Sequence, residues 1–373
     1  MYQRVLQSTI ESQFGSGKAI VLIGPRQVGK TTLIEEILKD REFLFLDGDD
    51  PATRALLNQP NTEQIRSILG SYKLVFIDEA QRIEGIGLTM KIIVDRIKNV
   101  QILVSGSSSF DLSNTLNEPL TGRKWEYRLF PISFQEYEGK HGRLFTEQQL
   151  ENRLLYGFYP DVLNHPGQEQ GILSNLVNSY LYRDILSYSD IRKSDVLEKL
   201  VRALALQVGQ EVNYTELAQL LNIDKNTVSK YIQILEQGFV IFRLGSFSRN
   251  LRNEIKTNMK VYFYDNGVRN TVIGNFNTLA LRNDVGALWE NFLISERKKC
   301  LEYSQSLAKT YFWRTKQQQE IDLVEEHSGK IWGYELKWND RKKKKFPTTF
   351  SHTYKADCKV INRSNFREFV MLM

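Results

Sequence analysis

Residues 24–31 read GPRQVGKT and follow the apolar run AIVLI. The spacing Gly24-x-x-x-x-Gly29-Lys30-Thr31 is that of a phosphate cradle. Gly24 and Gly29 let backbone N–H groups turn toward phosphate oxygens, Lys30 reaches the terminal phosphates of ATP, and the Thr31 hydroxyl holds Mg2+. A helix starting directly from the loop adds its positive end. Residues 73–79, KLVFIDE, predict a strand that delivers Asp78 to the same place to help order Mg2+. Glu79 then orients or deprotonates water; the plainer alternative is an acidic pair capping the next turn. The following strand, VQILVSG, leads into Ser105, Gly106, Ser107 and Ser108. Ser107 is the choice for sensing the γ-phosphate or holding the lytic water, although all three hydroxyls equally suit a helix cap. Residues 120–123, LTGR, offer Arg123 as a cationic finger in cis or across a subunit interface, against the alternative of a surface ion pair.

The elements that must position these groups are visible in the first third of the chain. AIVLI, EFLFLD, KLVFIDE and VQILVSG are short and almost wholly apolar, as strands are when helices cover both faces of a parallel sheet. Segments 31–39 and 86–98 are the predicted covering helices. After about Phe134 the pattern becomes helical. Asn213 to Glu216 predicts a capping box opening LAQLL, Asn222 to Asp224 a turn, and KNTVSKYIQILEQG a second helix. Leu217, Ala218 and Leu221 form one apolar stripe; Val228, Tyr231, Ile232 and Leu235 form a facing one. With FVIFRLGS next, the pattern predicts a winged helix-turn-helix. GALWENFLISERKK then reads as a helix, and KTYFWRT, QEIDLVEEH and GKIWGYELKW as strands.

At 373 residues, with 41% apolar and 25% charged, the chain predicts a soluble protein of two or three domains. No apolar run approaches the ~20 residues of a membrane span, and the start lacks a signal peptide's apolar segment. Two cysteines, Cys300 and Cys358, point to reduced thiols and a cytoplasmic setting. Four scattered histidines give no support to a zinc or serine-histidine enzyme. Much of the formal charge of +6 lies in the run Arg341 to Lys345, a solvated face or an attraction for phosphate backbones.

Together, GPRQVGKT, VFIDEAQ, VSGSSS and LTGR resemble a family of prokaryotic AAA+-like ATPases in which this module is joined to a C-terminal domain of uncharacterised function. The resemblance takes in residues 129–134 and the Tyr180 to Asp184 stretch, and so covers nearly the whole chain. It implies ATP binding, hydrolysis and a nuclease-like C-terminal fold. Asp322, Glu335 and Lys337 match the restriction-endonuclease-like pattern of an acid followed by Glu-x-Lys. In that resemblance Glu290 comes from the preceding helix. Acidic oxygens at Asp322 and Glu335 would gather Mg2+, while Lys337 would stabilise a water nucleophile or the charged transition state. Glu335 and Lys337 share one face of a strand and Leu336 points to the other. Glu320 is an alternative acid, and an exposed Glu-Lys pair is the plainer reading.

The expected architecture is therefore α/β: a parallel-sheet AAA+-like P-loop domain over 1–134, a helical connector or lid over 135–195, a winged helix-turn-helix over 196–249 and a restriction-endonuclease-like domain over 250–373. Lys225, Asn226, Thr227, Ser229 and Lys230 open the second helix of the pair and suit DNA phosphates or base edges, with Arg243 and Arg249 flanking a wing. Winged helices also serve as protein interfaces, and Glu211, Glu216 and Glu236 favour that use. The functional expectation is an ATP-binding, ATP-hydrolysing protein whose nucleotide state controls DNA binding or metal-dependent cleavage. The alternative is a nucleotide-controlled protein-interaction switch with a non-catalytic nuclease-like domain. Self-association would follow if Arg123 completed a neighbour's site.

Overall fold

The computed structural model describes residues 1–107, 119–179, 194–248, 259–339 and 346–372. Ser108, the Tyr180 to Asp184 stretch, Arg249 and the basic run Arg341 to Lys345 lie outside the described residues. The chain forms two compact units, Met1–Ile132 with Gln237–Phe239, and Ser133–Glu236 with Val240–Met373.

The first unit is built on five parallel strands in the order β2-β3-β4-β1-β5: β1 Ala19–Ile23, β2 Leu44–Asp47, β3 Leu74–Asp78, β4 Gln101–Gly106 and β5 Lys124–Arg128. Every residue of β1 and β4 is buried, which accounts for the apolar runs AIVLI and ILV within them. The strand missing from the sequence reading, β5, is KWEYR, an edge strand whose charges hide its period. Its exit explains one glycine of the phosphate cradle. Leu129 N donates to Ile23 O at 2.8 Å, and a Cβ on Gly24 would lie 2.0 Å from Leu129 O. Gly29 is needed for a different reason, a φ of +88°, at the entry to the helix Lys30–Leu38. That helix buries Leu33, Ile34, Ile37 and Leu38 as a single stripe.

The second unit combines helices with a seven-stranded mixed sheet, order β12-β11-β10-β9-β7-β8-β6. Its strands are β6 Glu211–Val212, β7 Ile241–Ser246, β8 Met259–Phe263, β9 Lys309–Arg314, β10 Glu320–His327, β11 Lys330–Leu336 and β12 Asp357–Ile361. The helices Tyr214–Leu221 and Lys225–Gln237 stand where the sequence places a helix pair. Asn213 caps the first through Thr215 N at 2.9 Å. However, β7 pairs antiparallel with β8 and parallel with β9. Backbone hydrogen bonding therefore runs across the division expected at 249/250, and the expected division at 195/196 also falls inside this unit.

One long helix, Val285–Tyr303, lies against β8 and β11. Asn291, fully buried in this helix, accepts from Phe263 N at 2.8 Å and donates to Phe263 O at 3.1 Å. Its amide thus satisfies the end of β8 as a neighbouring strand would, and fixes the adjacent Glu290 beside that strand.

Gly24→Ala is expected to lower stability by about 1–3 kcal/mol without nucleotide, because neither the Cβ nor the Leu129 carbonyl has room to move. Gly139→Ala, in the helix Phe134–His141 and with no atom within 4 Å of the added Cβ, should raise stability by ~0.5–1 kcal/mol. Denaturant titration of both variants checks the contrast.

Candidate functional site

The cradle closes on its own lysine. Lys30 is 5% exposed, and its Nζ donates to Gly24 O at 3.0 Å and Pro25 O at 2.9 Å. Burial pushes the Lys30 ammonium down to about 8, with Glu79 and then Asp78 opposing the shift and Arg26 adding to it. A second cation holds the loop from behind. Arg4, buried, donates from Nη1 to Val28 O and from Nη2 to Phe130 O, each at 2.7 Å. Arg4 was not legible in the sequence, since its partners stand 24 and 126 residues away.

Strand order decides what faces the cradle. Because β4 lies between β1 and β3, its serines stand beside the acids that end β3. Asp78 Oδ2 accepts from Thr31 Oγ1 at 2.7 Å, Oδ1 accepts from the Ser105 hydroxyl, and Glu79 N donates to Oδ1 at 3.1 Å. Glu79 adopts φ +45°, a left-handed turn that lets two consecutive acids serve one end of the sheet. Its Oε2 accepts from Ser107 Oγ at 3.1 Å and from Gln81 Nε2, while Gln81 Nε2 also donates to Ser107 Oγ at 3.0 Å. The two described serines are thus divided: Ser105 holds Asp78 and Ser107 meets Glu79. Gln81 was missed by the residue-by-residue reading, although it lies inside VFIDEAQ. Its buried Oε1 has no hydrogen-bond partner among the described residues.

The Thr31 hydroxyl and Asp78 carboxylate form an oxygen donor pair of the kind Mg2+ takes alongside phosphate and water. Their 2.7 Å contact fits that role. Arg123 does not reach this place. Its carbonyl accepts from Ala19 N, and β5 runs parallel to β1 with Lys124 beside Ala19. Arg123 therefore sits at the N-terminal end of the strands, the end opposite the cradle and about 16 Å from it at the usual rise per residue. It pairs with Asp95 at 2.6 Å. As placed, Arg123 is engaged by Asp95 and does not meet the cradle of its own chain.

In the second unit, Glu290, Asp322, Glu335 and Lys337 do converge, and two unforeseen residues join them. Lys337 Nζ lies 3.1 Å from Asp322 and 3.0 Å from Glu335. Asp322 Oδ2 also accepts from Leu336 N at 2.8 Å, at an irregularity in the β9–β10 register. Lys260, 2% exposed, reaches Glu320 at 2.6 Å and Glu290 at 3.4 Å. The Tyr262 hydroxyl donates to Glu290 at 2.7 Å. Burial pushes Glu290 up to about 7; Lys260 opposes this and Asp322 adds to it. Burial also works against the Lys260 charge, but Glu290, Glu320 and Asp322 outweigh it and raise its pKa. Lys337 behaves likewise, with Asp322 and Glu335 overcoming burial. This donor set does not fit a divalent ion: the acids are already facing ammonium groups. Among the described residues, no group of three or more His, Cys, Asp or Glu is arranged to hold a metal.

At the start of the helix Lys225–Gln237, Lys225, Asn226 and Lys230 are exposed, whereas Thr227 and Ser229 are half-buried. Asp224 accepts from Asn226 N at 2.8 Å, Thr227 N at 2.9 Å and the Thr227 hydroxyl. A carboxylate therefore occupies the helix end that was expected to meet phosphates. Arg243 is half-buried and bonded through Nε to Glu236 at 2.7 Å.

An AAA domain model matches residues 16–138. Two models described as domains of unknown function match residues 147–279 (DUF8612) and 285–370 (DUF4143). The fold resembles that of the Walker-type ATPase of Pyrococcus abyssi, at TM-score 0.50 and 16% identity over 73% of this chain and 96% of that one. Fold and cradle define an ATP-binding protein of the AAA+ P-loop class. An uncharacterized protein of Haemophilus influenzae is 30% identical over 282 residues, covering 68% of this chain and 69% of its own length. Another, of Mycobacterium tuberculosis, is 28% identical over 323 residues, covering 85% and 70%. The chain belongs to the family of the Haemophilus influenzae protein and carries an AAA domain.

Because Lys30 loses its proton near 8 in the free chain, and phosphate favours the ammonium, the bound pKa lies above the free one. ATP affinity should be at its full value below pH 8 and fall as pH rises through that window, with proton uptake on binding near pH 8–9. Calorimetry in two buffers of different ionisation enthalpy measures both.

Proposed function

We propose that the protein is a nucleotide-controlled protein-interaction switch, driven by ATP hydrolysis in its first unit and carrying a non-catalytic nuclease-like fold in its second. The observation that carries the first half is the pair of polar clusters at the ends of β3 and β4. Lys30 leaves its carbonyl partners to meet the terminal phosphates of ATP. Gly24 and Gly29 leave the loop backbone free to approach them. Thr31 and Asp78 are the residues that would hold Mg2+, which supplies charge neutralisation of the phosphates when bound. Glu79 is the general base for the attacking water. Ser107 orients its carboxylate, and Gln81 Oε1, which has no partner among the described residues, accepts a hydrogen bond from the O–H that the water keeps. Arg4 keeps the loop in register through Val28 O. Arg123 contributes to catalysis only in a homo-oligomer, by leaving Asp95 for a neighbour's nucleotide.

The second half is supported by the engagement of Asp322, Glu335 and Glu290 with Lys337 and Lys260; among the described residues, no group of three or more His, Cys, Asp or Glu is arranged to hold a catalytic ion. A second reading, a winged helix-turn-helix that meets DNA, is favoured by the exposed Lys225, Asn226 and Lys230. Against it stand the Asp224 cap and the pairing of the half-buried Arg243 with Glu236. We assign the protein to the cytoplasm, with ATP and a protein as its partners.

Lys30→Ala should abolish ATP binding, whereas Glu79→Gln should retain it and lower turnover about 10²–10⁴-fold. In Glu79→Gln, limited proteolysis should give different patterns with ATP and ADP. Identical patterns, or turnover unaffected by either change, would defeat the switch. Labelled duplex DNA at two salt concentrations tests the second reading: salt-sensitive binding lost in Lys225→Ala with Lys230→Ala would favour it. Strand cleavage with Mg2+ or Mn2+ that disappears in Asp322→Asn would overturn the non-catalytic assignment.

A further inference from the structure

Lys260 belongs to β8, away in sequence from every acid it meets, and its ammonium is withdrawn from solvent. Its Nζ lies 2.6 Å from Glu320 on β10 and 3.4 Å from Glu290 on the helix Val285–Tyr303. Phe312 of β9 covers it, with the ring centroid 5.5 Å away. Around it the acids are themselves placed by other bonds. Tyr262 OH donates to Glu290, Leu336 N and Lys337 Nζ hold Asp322, and Arg314 stands 3.9 Å from Glu320 while bonded to Glu211 at 3.0 Å. Glu335 is fully buried against Lys337. A group of carboxylates removed from water needs opposite charge close by. A divalent ion would be one source; here the chain brings its own.

We infer that Lys260 is the resident cation of this pocket, supplying through a tethered ammonium the charge that Glu290, Glu320 and Asp322 would otherwise take from a divalent metal. The pocket is then a closed, metal-independent polar core joining β8, β10 and the long helix, latent as a metal site and opened by loss of one amine. The buried tether matters as much as the charge. An incoming ion must displace an ammonium that cannot diffuse away, so the pocket discriminates against Mg2+ and Mn2+ even though its donors are oxygen atoms. This rests on the non-catalytic reading of the second unit and adds the residue responsible for it.

The test is Mn2+ binding followed by electron paramagnetic resonance on the full chain without nucleotide. The natural chain and Asp322→Asn should give the same titration, with no Mn2+ site that depends on Asp322. Lys260→Gln should gain one saturable Mn2+ site, lost again when Asp322→Asn is added. Mn2+ bound by the natural chain and released by Asp322→Asn would overturn the inference, as would a folded Lys260→Gln that gains no site. Should Lys260→Gln fail to fold, the natural-chain comparison still decides, and Lys260→Arg, which keeps the cation, should fold and show no Asp322-dependent site. Mn2+ binding by the natural chain without cleavage removes this inference alone, whereas cleavage removes the non-catalytic reading itself.

Discussion

A charge taken out of water must be met by an opposite charge or by hydrogen-bond partners, and each unit of this protein organises its polar interior around that requirement. In the first unit the requirement is left partly open. Lys30 is buried against two carbonyl oxygens and, among the described residues, no carboxylate bonds it directly, so its charge is under-compensated and its pKa depressed. An anion of high charge restores the balance. In the second unit the requirement is closed, because Lys260 and Lys337 each stand within 3.4 Å of two carboxylates. Lys30 and Lys260, with similar burial, therefore have opposite dispositions, one ready for a ligand and one satisfied by the fold.

The under-compensated site depends on strand order. Placing β4 between β1 and β3 puts Ser105 near the end of β4 and Ser107 just past it against Asp78 at the end of β3 and Glu79 just past it. The left-handed turn at Glu79 is what makes consecutive acids usable together, since on a regular strand they would point to opposite faces. The same parallel arrangement sets Arg123 at the end of the strands away from its own cradle. All strands of the sheet end on the phosphate side, and Arg123 precedes one.

The satisfied site depends on tertiary pairing. Asn291 bonds both backbone groups of Phe263, which sets Glu290 opposite Lys260 and Tyr262. β7 joins β8 to β9, so the residues read as a separate winged module share a sheet with the acids. That sharing was hidden from the sequence because β8, MKVYF, lies after a stretch with no clear period and pairs with strands on both sides of it.

The sequence by itself determined the ATP cradle and its strands. Gly24, Gly29, Lys30 and Thr31 act within one loop, and AIVLI, KLVFIDE and VQILVSG are buried on both faces, so local spacing and continuous apolar character identify them. The positions Asp322, Glu335 and Lys337 were equally legible as a group, because the spacing of alternate strand residues brings two of them together. Only the tertiary structure decided which serine serves which acid, that Gln81 and Arg4 belong to the cradle, that Arg123 does not, and that Lys260 fills the acidic pocket. These outcomes depend on strand order and on partners up to 126 residues apart, and on burial. The same charged side chain can sit on a solvated face or bind a ligand, and neither role is encoded in its neighbours along the chain.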